Sequence, residues 1–149
     1  KRVHQQVENR RDFYLYVDEF QNFATESFTK ILSEARKYRL NLLLANQYIG
    51  QVSEEVQRAI FGNVGTLTTF LVGAGDASVL ARELGGIYKE EDLVNLGKYE
   101  ILTKMAIDGL TSTPFAATTL PLPAVVNGNR DKIIQQSLER NYQKVKQHQ

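Results

Sequence analysis

The sequence predicts an α/β fold: a mainly parallel sheet flanked by helices, with a C-terminal antiparallel hairpin and a terminal helix. Two observations carry this. Apolar runs of strand length, Phe13–Val17, Leu40–Ala45 and Gly65–Val72, alternate with segments of helical periodicity, the pattern of βαβ units whose strands are covered on both faces. Further on, two β-rich runs flank Asp108-Gly109, a strong hairpin signal.

Lys1–Arg11 is polar and reads as a linker or the end of a preceding helix, so residues 1–12 are set apart from the domain. Phe13–Val17 (FYLYV) is rich in β-formers and is expected to be a strand buried on both faces. Thr25 is a candidate N-cap for a helix over Thr25–Tyr38, in which Phe28, Ile31, Leu32, Ala35 and Tyr38 share one face. Glu26 and Lys30 stand at the favourable i,i+4 spacing on the other face. Leu40–Ala45 is the second buried strand, Ser53–Ile60 a short helix and Gly65–Val72 the third strand.

Asp76 is placed as the cap of a helix that runs through Leu84 and stops at Gly85-Gly86. Glu90–Leu96 adds a helical turn or two, and Tyr99–Ile107 with Leu110–Leu120 forms the hairpin. Pro121 and Pro123 break the pattern. From Asn129 a polar helix follows, with Ile134, Leu138, Tyr142 and Val145 as a narrow apolar stripe. The expected division is a domain over 13–121, then a Pro-bounded linker and helix over 122–149.

Composition narrows the function classes. The 149 residues suit one domain with a real core, and 42% apolar content argues against disorder. With 18 basic and 17 acidic residues there is no global basic field, so any nucleic-acid contact is local. The chain has no cysteine, and His4 and His148 lie at opposite ends, which disfavours thiolate and histidine metal sites. No apolar run approaches the roughly 18 to 20 residues that cross a bilayer, and no signal peptide is visible. A start at Lys1, with a short polar lead before the first strand, raises the expectation of a piece of a longer protein.

The chemistry sits at strand tips. Phe13–Val17 runs directly into Asp18-Glu19, and Leu40–Ala45 into Asn46-Gln47. Strands linked by one helix are parallel neighbours, and open α/β sheets bind ligands outside the carboxyl ends of their strands. An aspartate there can hold the water shell of Mg²⁺ on a nucleotide's phosphates, while the adjacent glutamate polarises the attacking water. Gln47, on the next strand tip, can orient that water or sense the γ-phosphate. The bland reading is that strands simply end at polar turns. Equally bland, Phe13, Tyr14, Phe20, Phe23 and Phe28 are expected in the core, Gly73 and Gly75 in a turn, and Arg36 and Lys37 beside a helix C-terminal dipole. Lys132, Arg140, Lys144 and Lys146 are interleaved with Asp131 and Glu139, the composition of a solvated face or an unfinished interface.

The run DEFQNFATESFTKILSEARKYRLNLLLANQYIGQV, then FGNVGTLTTFLVGAGDASVLAREL, then DLVNLGKYEILTKMAIDGLTSTPFAATTLP resembles the C-terminal half of the TraG/TraD-type conjugative coupling ATPases of type IV secretion, within the HerA/FtsK-like P-loop ATPases. The likeness spans roughly residues 12 to 121. It implies a partial RecA-like P-loop core, with Asp18 as the Mg²⁺-associated Walker B acid, Glu19 as the catalytic glutamate and Gln47 as the sensor glutamine. Arg36 looks like the arginine that such rings insert into a neighbouring active site, with Arg39 as a second candidate; such a finger is worth about 10³–10⁵ in rate. The resemblance further implies ATP and Mg²⁺ as cofactors. It implies DNA, a relaxase or accessory conjugation proteins and secretion-channel components as partners. It also implies a homo-hexamer, a cytoplasmic place at the inner face of the cell membrane, and residues 48–53 as candidates to face a central channel.

The departure from the family pattern is the phosphate loop. A GxxxxGK[ST] run is absent: the one Gly-Lys pair, Gly97-Lys98, is followed by Tyr99. In the family that loop lies upstream of Walker B, so this chain alone is expected not to hydrolyse ATP. A non-catalytic docking module for accessory proteins or secretion substrates is the alternative. DEFQ is also similar to a motif of UvrD-like helicases, but those continue with a Gly-Asp-x-x-Gln strand end where this chain reads LANQYIGQ.

Overall fold

The computed structural model describes residues 9–122 and 128–145, without the side chains of Glu26 and of residues 141–145. Most of the polar lead, Pro123, the Glu26–Lys30 pair, the Tyr142 and Val145 side chains, and Lys144 and Lys146 lie outside that description. The fold is mixed α/β, as expected. Two compact units divide it, at Thr119 and Leu120.

In the first unit, β1 (Phe13–Val17) and β2 (Leu40–Leu44) pair in parallel, with Phe13 opposite Leu40 and Val17 opposite Leu44. The connection is α1 (Glu26–Glu34), tightened at its end into a 3₁₀ turn over Ala35–Tyr38. Thr25 is the N-cap residue in extended conformation, but its hydroxyl makes no capping bond. α2 (Glu54–Asn63) packs beside α1, and Phe20, Phe28, Leu32, Val52, Val56 and Ile60 form the core beneath the pair.

The sheet departs from expectation. It is not mainly parallel: β3 (Leu67–Thr69) does not join β1 and β2 but pairs antiparallel with β4 (Glu100–Lys104), which pairs antiparallel with β7 (Phe115–Thr118). Nor is β1 buried on both faces. Phe13, Tyr14, Leu15 and Tyr16 are all exposed, because among the described residues β1 has a neighbour only on its β2 edge. Phe23 is exposed as well, so of the five aromatics expected inside only Phe20 and Phe28 are core.

The second sheet rests on α3 (Ala74–Glu83) and α4 (Glu90–Val94), whose Ala77, Leu80, Ala81, Leu84 and Leu93 close over Leu102. Phe61 touches both cores. α3 ends as expected. Gly86 N–H reaches Ala81 C=O and Gly85 N–H reaches Arg82 C=O, with Gly85 at φ 77°, the left-handed cap that glycine supplies without steric cost.

The hairpin turns at Asp108-Gly109, both at positive φ (51° and 81°), between the short strands β5 (Ala106–Ile107) and β6 (Leu110–Thr111). Ala106 faces Thr111 while Thr103 faces Phe115. Two residues on one side therefore oppose Ser112, Thr113 and Pro114 on the other. That extra residue is a bulge, placed where Pro114 has no N–H for the ladder.

In the second unit, α5 (Arg130–Val145) carries Ile134 and Leu138 exposed. No described helix is long and apolar enough to cross a membrane.

Candidate functional site

The parallel register decides what meets at the sheet rim. Because Val17 and Leu44 are partners, Asp18 and Ala45 leave their strands side by side. Ala45 N–H donates to Val17 C=O at 2.9 Å, and Phe20 N–H to Ala45 C=O at 3.1 Å. Glu19, one residue past Asp18, and Gln47, two residues past Ala45, are thereby brought together.

Glu19 stands between a strand and a core anchor. Phe20, only 3% exposed, stacks on Phe28 with ring centroids 6.2 Å apart. To pass from Val17 to Phe20 the backbone turns through a left-handed conformation at Glu19, φ 50° and ψ 46°. For a residue with a side chain this costs about 1–3 kcal/mol, and it persists only where the surroundings enforce it. Here Asp18 Oδ1 accepts Glu19 N–H at 2.9 Å, and Glu19 C=O accepts Asn22 N–H at 3.1 Å.

Both oxygens of the Glu19 carboxylate accept amide protons. Gln47 Nε2 donates to Oε1 and Gln21 Nε2 to Oε2, each at 2.5 Å. Gln21 is a member of the site that sequence reasoning missed. Its carbonyl oxygen is buried without a hydrogen-bond partner among the described residues. The available signal was its position two residues after Glu19, in the 3₁₀ turn Phe20–Phe23 that the aromatic spacing concealed.

Asp18 is exposed, with one oxygen on Glu19 N–H. The described residues contain no cluster of three His, Cys, Asp or Glu side chains. This donor set fits Mg²⁺, which keeps most of its waters and takes one or two carboxylates plus phosphate oxygens. It does not fit a metal caged by protein. The sequence contains no GxxxxGK[ST] run.

Arg36 and Arg39 are not brought to the carboxylates. Arg36 lies in the 3₁₀ turn before β2 and Arg39 is its left-handed cap residue at φ 50°. The five residues of β2, roughly 16 Å of strand at ~3.3 Å per residue, separate them from the rim that carries Gln47. The Arg36 side chain is exposed and forms no ion pair or hydrogen bond among the described residues.

An open cleft of about 1170 Å³ lies alongside β2. Leu40–Leu44 form one wall and Val64–Phe70, with β3, another; Gln47 is at its margin. Among the described residues the β2 edge away from β1 and the β3 edge away from β4 are both unpaired. The volume exceeds the about 300–1,000 Å³ of small-molecule pockets, and two of its walls are strand edges.

Beyond the rim, the chain from Asn46 to Val52 is held from several sides. Asn46 Nδ2 donates to Tyr48 C=O at 3.1 Å, and Gln57 Nε2 donates to Ile49 C=O at 3.1 Å and to Val52 C=O at 2.7 Å. Asp76 is not the cap that its place in sequence suggests. Gly73 is the N-cap residue, Asp76 sits in the first turn, and its carboxylate instead accepts the backbone N–H groups of Ile49 and Gly50.

Residues 12–90, just over half of the 149, match the family model described as the TraM recognition site of TraD and TraG. No curated protein matches the chain.

Proposed function

The chain belongs to the TraM recognition region of TraD- and TraG-type conjugative coupling proteins, and on that premise we propose that it supplies the acid half of an ATP site in a DNA-translocating motor. Asp18 meets the water shell of a nucleotide-bound Mg²⁺, Glu19 polarises the attacking water, and Gln47 senses the γ-phosphate. ATP with Mg²⁺ would supply the phosphoryl-transfer chemistry, and the Glu19 carboxylate would orient the water and take its proton. Arg36 serves a neighbouring subunit of a homo-hexamer, a role supported by its exposure and its place at the opposite end of β2 from Gln47. DNA with an attached relaxase is the cargo. The motor works at the cytoplasmic face of the membrane beside the channel components.

The observation that carries this reading is the hydrogen bond between Glu19 and Gln47 at adjacent tips of parallel strands. The cleft supports it. A further strand between the free edges of β2 and β3, ending in a phosphate-binding loop, would join the two sheets into the RecA-like core that the resemblance implies, with that loop on the Gln47 side of the rim.

A second reading is favoured by the family description itself. As a recognition site, the region docks a TraM-type accessory protein of conjugation and needs no phosphate loop. The test is DNA-stimulated ATP hydrolysis by the full-length protein. Hydrolysis lost in Glu19→Ala supports the motor. Accessory-protein binding by a full-length protein that neither contains GxxxxGK[ST] nor hydrolyses ATP supports the docking module.

A further inference from the structure

We infer that Asp76 is a positioning residue for Gln47: from the first turn of α3 its carboxylate holds the chain just past the rim and so fixes where the glutamine's amide points. This rests on the reading of Gln47 as the γ-phosphate sensor. Asp76 is 9% exposed, a degree of burial rare for a carboxylate without partners. Its partners are two consecutive backbone amides, Ile49 N–H on Oδ2 at 2.9 Å and Gly50 N–H on Oδ1 at 3.1 Å. Hydrogen bonds to an ionised acceptor are about twice as strong as neutral ones.

Gln47 lies between two anchored points. On its N-terminal side Ala45 is bonded through both backbone groups to Val17 and Phe20. On its C-terminal side the amides of Ile49 and Gly50 belong to Asp76, and the carbonyls of Ile49 and Val52 to Gln57. Gln47 itself is exposed, and among the described residues its side chain bonds only to Glu19. An exposed glutamine loses rotamer entropy when held in one geometry. Rigid flanks reduce that cost, and the packed elements supply them. Asp76 thus links α3, whose Leu80 and Ala81 belong to one core, to a loop whose Val52 belongs to the other.

The test uses Asp76→Asn, which keeps the shape and loses the charge, and Gln57→Ala, which loosens the same loop from its other side. In the 149-residue chain, Asp76→Asn should speed amide exchange at Ile49 and Gly50 roughly tenfold or more, and shift the side-chain amide signals of Gln47. In the full-length protein, both variants should lower kcat about ten- to a hundredfold with KM little changed, as a misplaced catalytic group does, and Asp76→Glu should restore part of it. Faster exchange at Ile49 and Gly50 with unmoved Gln47 signals would overturn the inference, as would an unchanged kcat in an active enzyme. If the wild-type protein does not hydrolyse ATP, the motor reading fails, and the Gln47 signals still decide whether Asp76 positions it.

Discussion

Gln47 and Glu19 are 28 residues apart in sequence and 2.5 Å apart at the Nε2–Oε1 contact. Nothing local brings them together. The parallel register of β1 and β2 does, by ending both strands at one rim.

Gln47→Ala removes that contact while Gln21 keeps its hold on the other oxygen. Because Gln47 is exposed, the chain's stability should change by no more than about 0.5 kcal/mol, as urea titration would read. Turnover by the full-length protein should nevertheless fall. A large loss of stability would make Gln47 a structural residue instead.

Phe20→Ala should act through the fold. Removing a buried phenylalanine typically costs about 3–5 kcal/mol, a large share of a domain's about 5–15 kcal/mol. It also releases the left-handed turn at Glu19, which Phe20's burial enforces. Denaturant unfolding checks the first effect and the Gln47 side-chain signals the second. A variant as stable as the wild type would remove Phe20 as the anchor of the acid pair.

The strands and the acid tips were legible because their signals are local: continuous β-forming runs, helical spacing between them, and polar residues where each run stops. The hairpin was legible for the same reason, since Asp108-Gly109 suits a turn that needs positive φ at both positions. What the sequence hid is nonlocal. Whether Tyr14 and Tyr16 are covered depends on a neighbouring strand, not on the run that contains them. β3 reads like the other apolar runs, yet its partner is 35 residues on, where Thr68 Oγ1 meets Thr103 Oγ1 at 2.8 Å. Asp76 looked like a cap because caps and first-turn acids occupy neighbouring positions; its bonds to Ile49 and Gly50 reach back 27 and 26 residues.

Gly109→Ala separates the hairpin from the site. At φ 81° a Cβ is strained, so the substitution should cost about 1 kcal/mol while leaving the Gln47 signals in place. Movement of those signals would show that the hairpin and the rim respond together.

Arg36→Ala should be nearly silent for stability, because the side chain is exposed, and costly for turnover. Its defect should be shared between subunits. Mixing full-length Arg36→Ala with a variant disabled in the phosphate-binding loop should restore part of the activity that each lacks. No restoration would leave Arg36 as a partner of the α1 dipole.

Glu19→Gln in the full-length protein is the most direct test of the acid pair. The substitution keeps the side chain's size and removes its ability to take a proton. Nucleotide affinity should be unchanged and turnover should fall by about 10²–10⁴, the usual contribution of a general base. Turnover at the wild-type rate would contradict that role, and would leave the strand tip as part of a recognition surface.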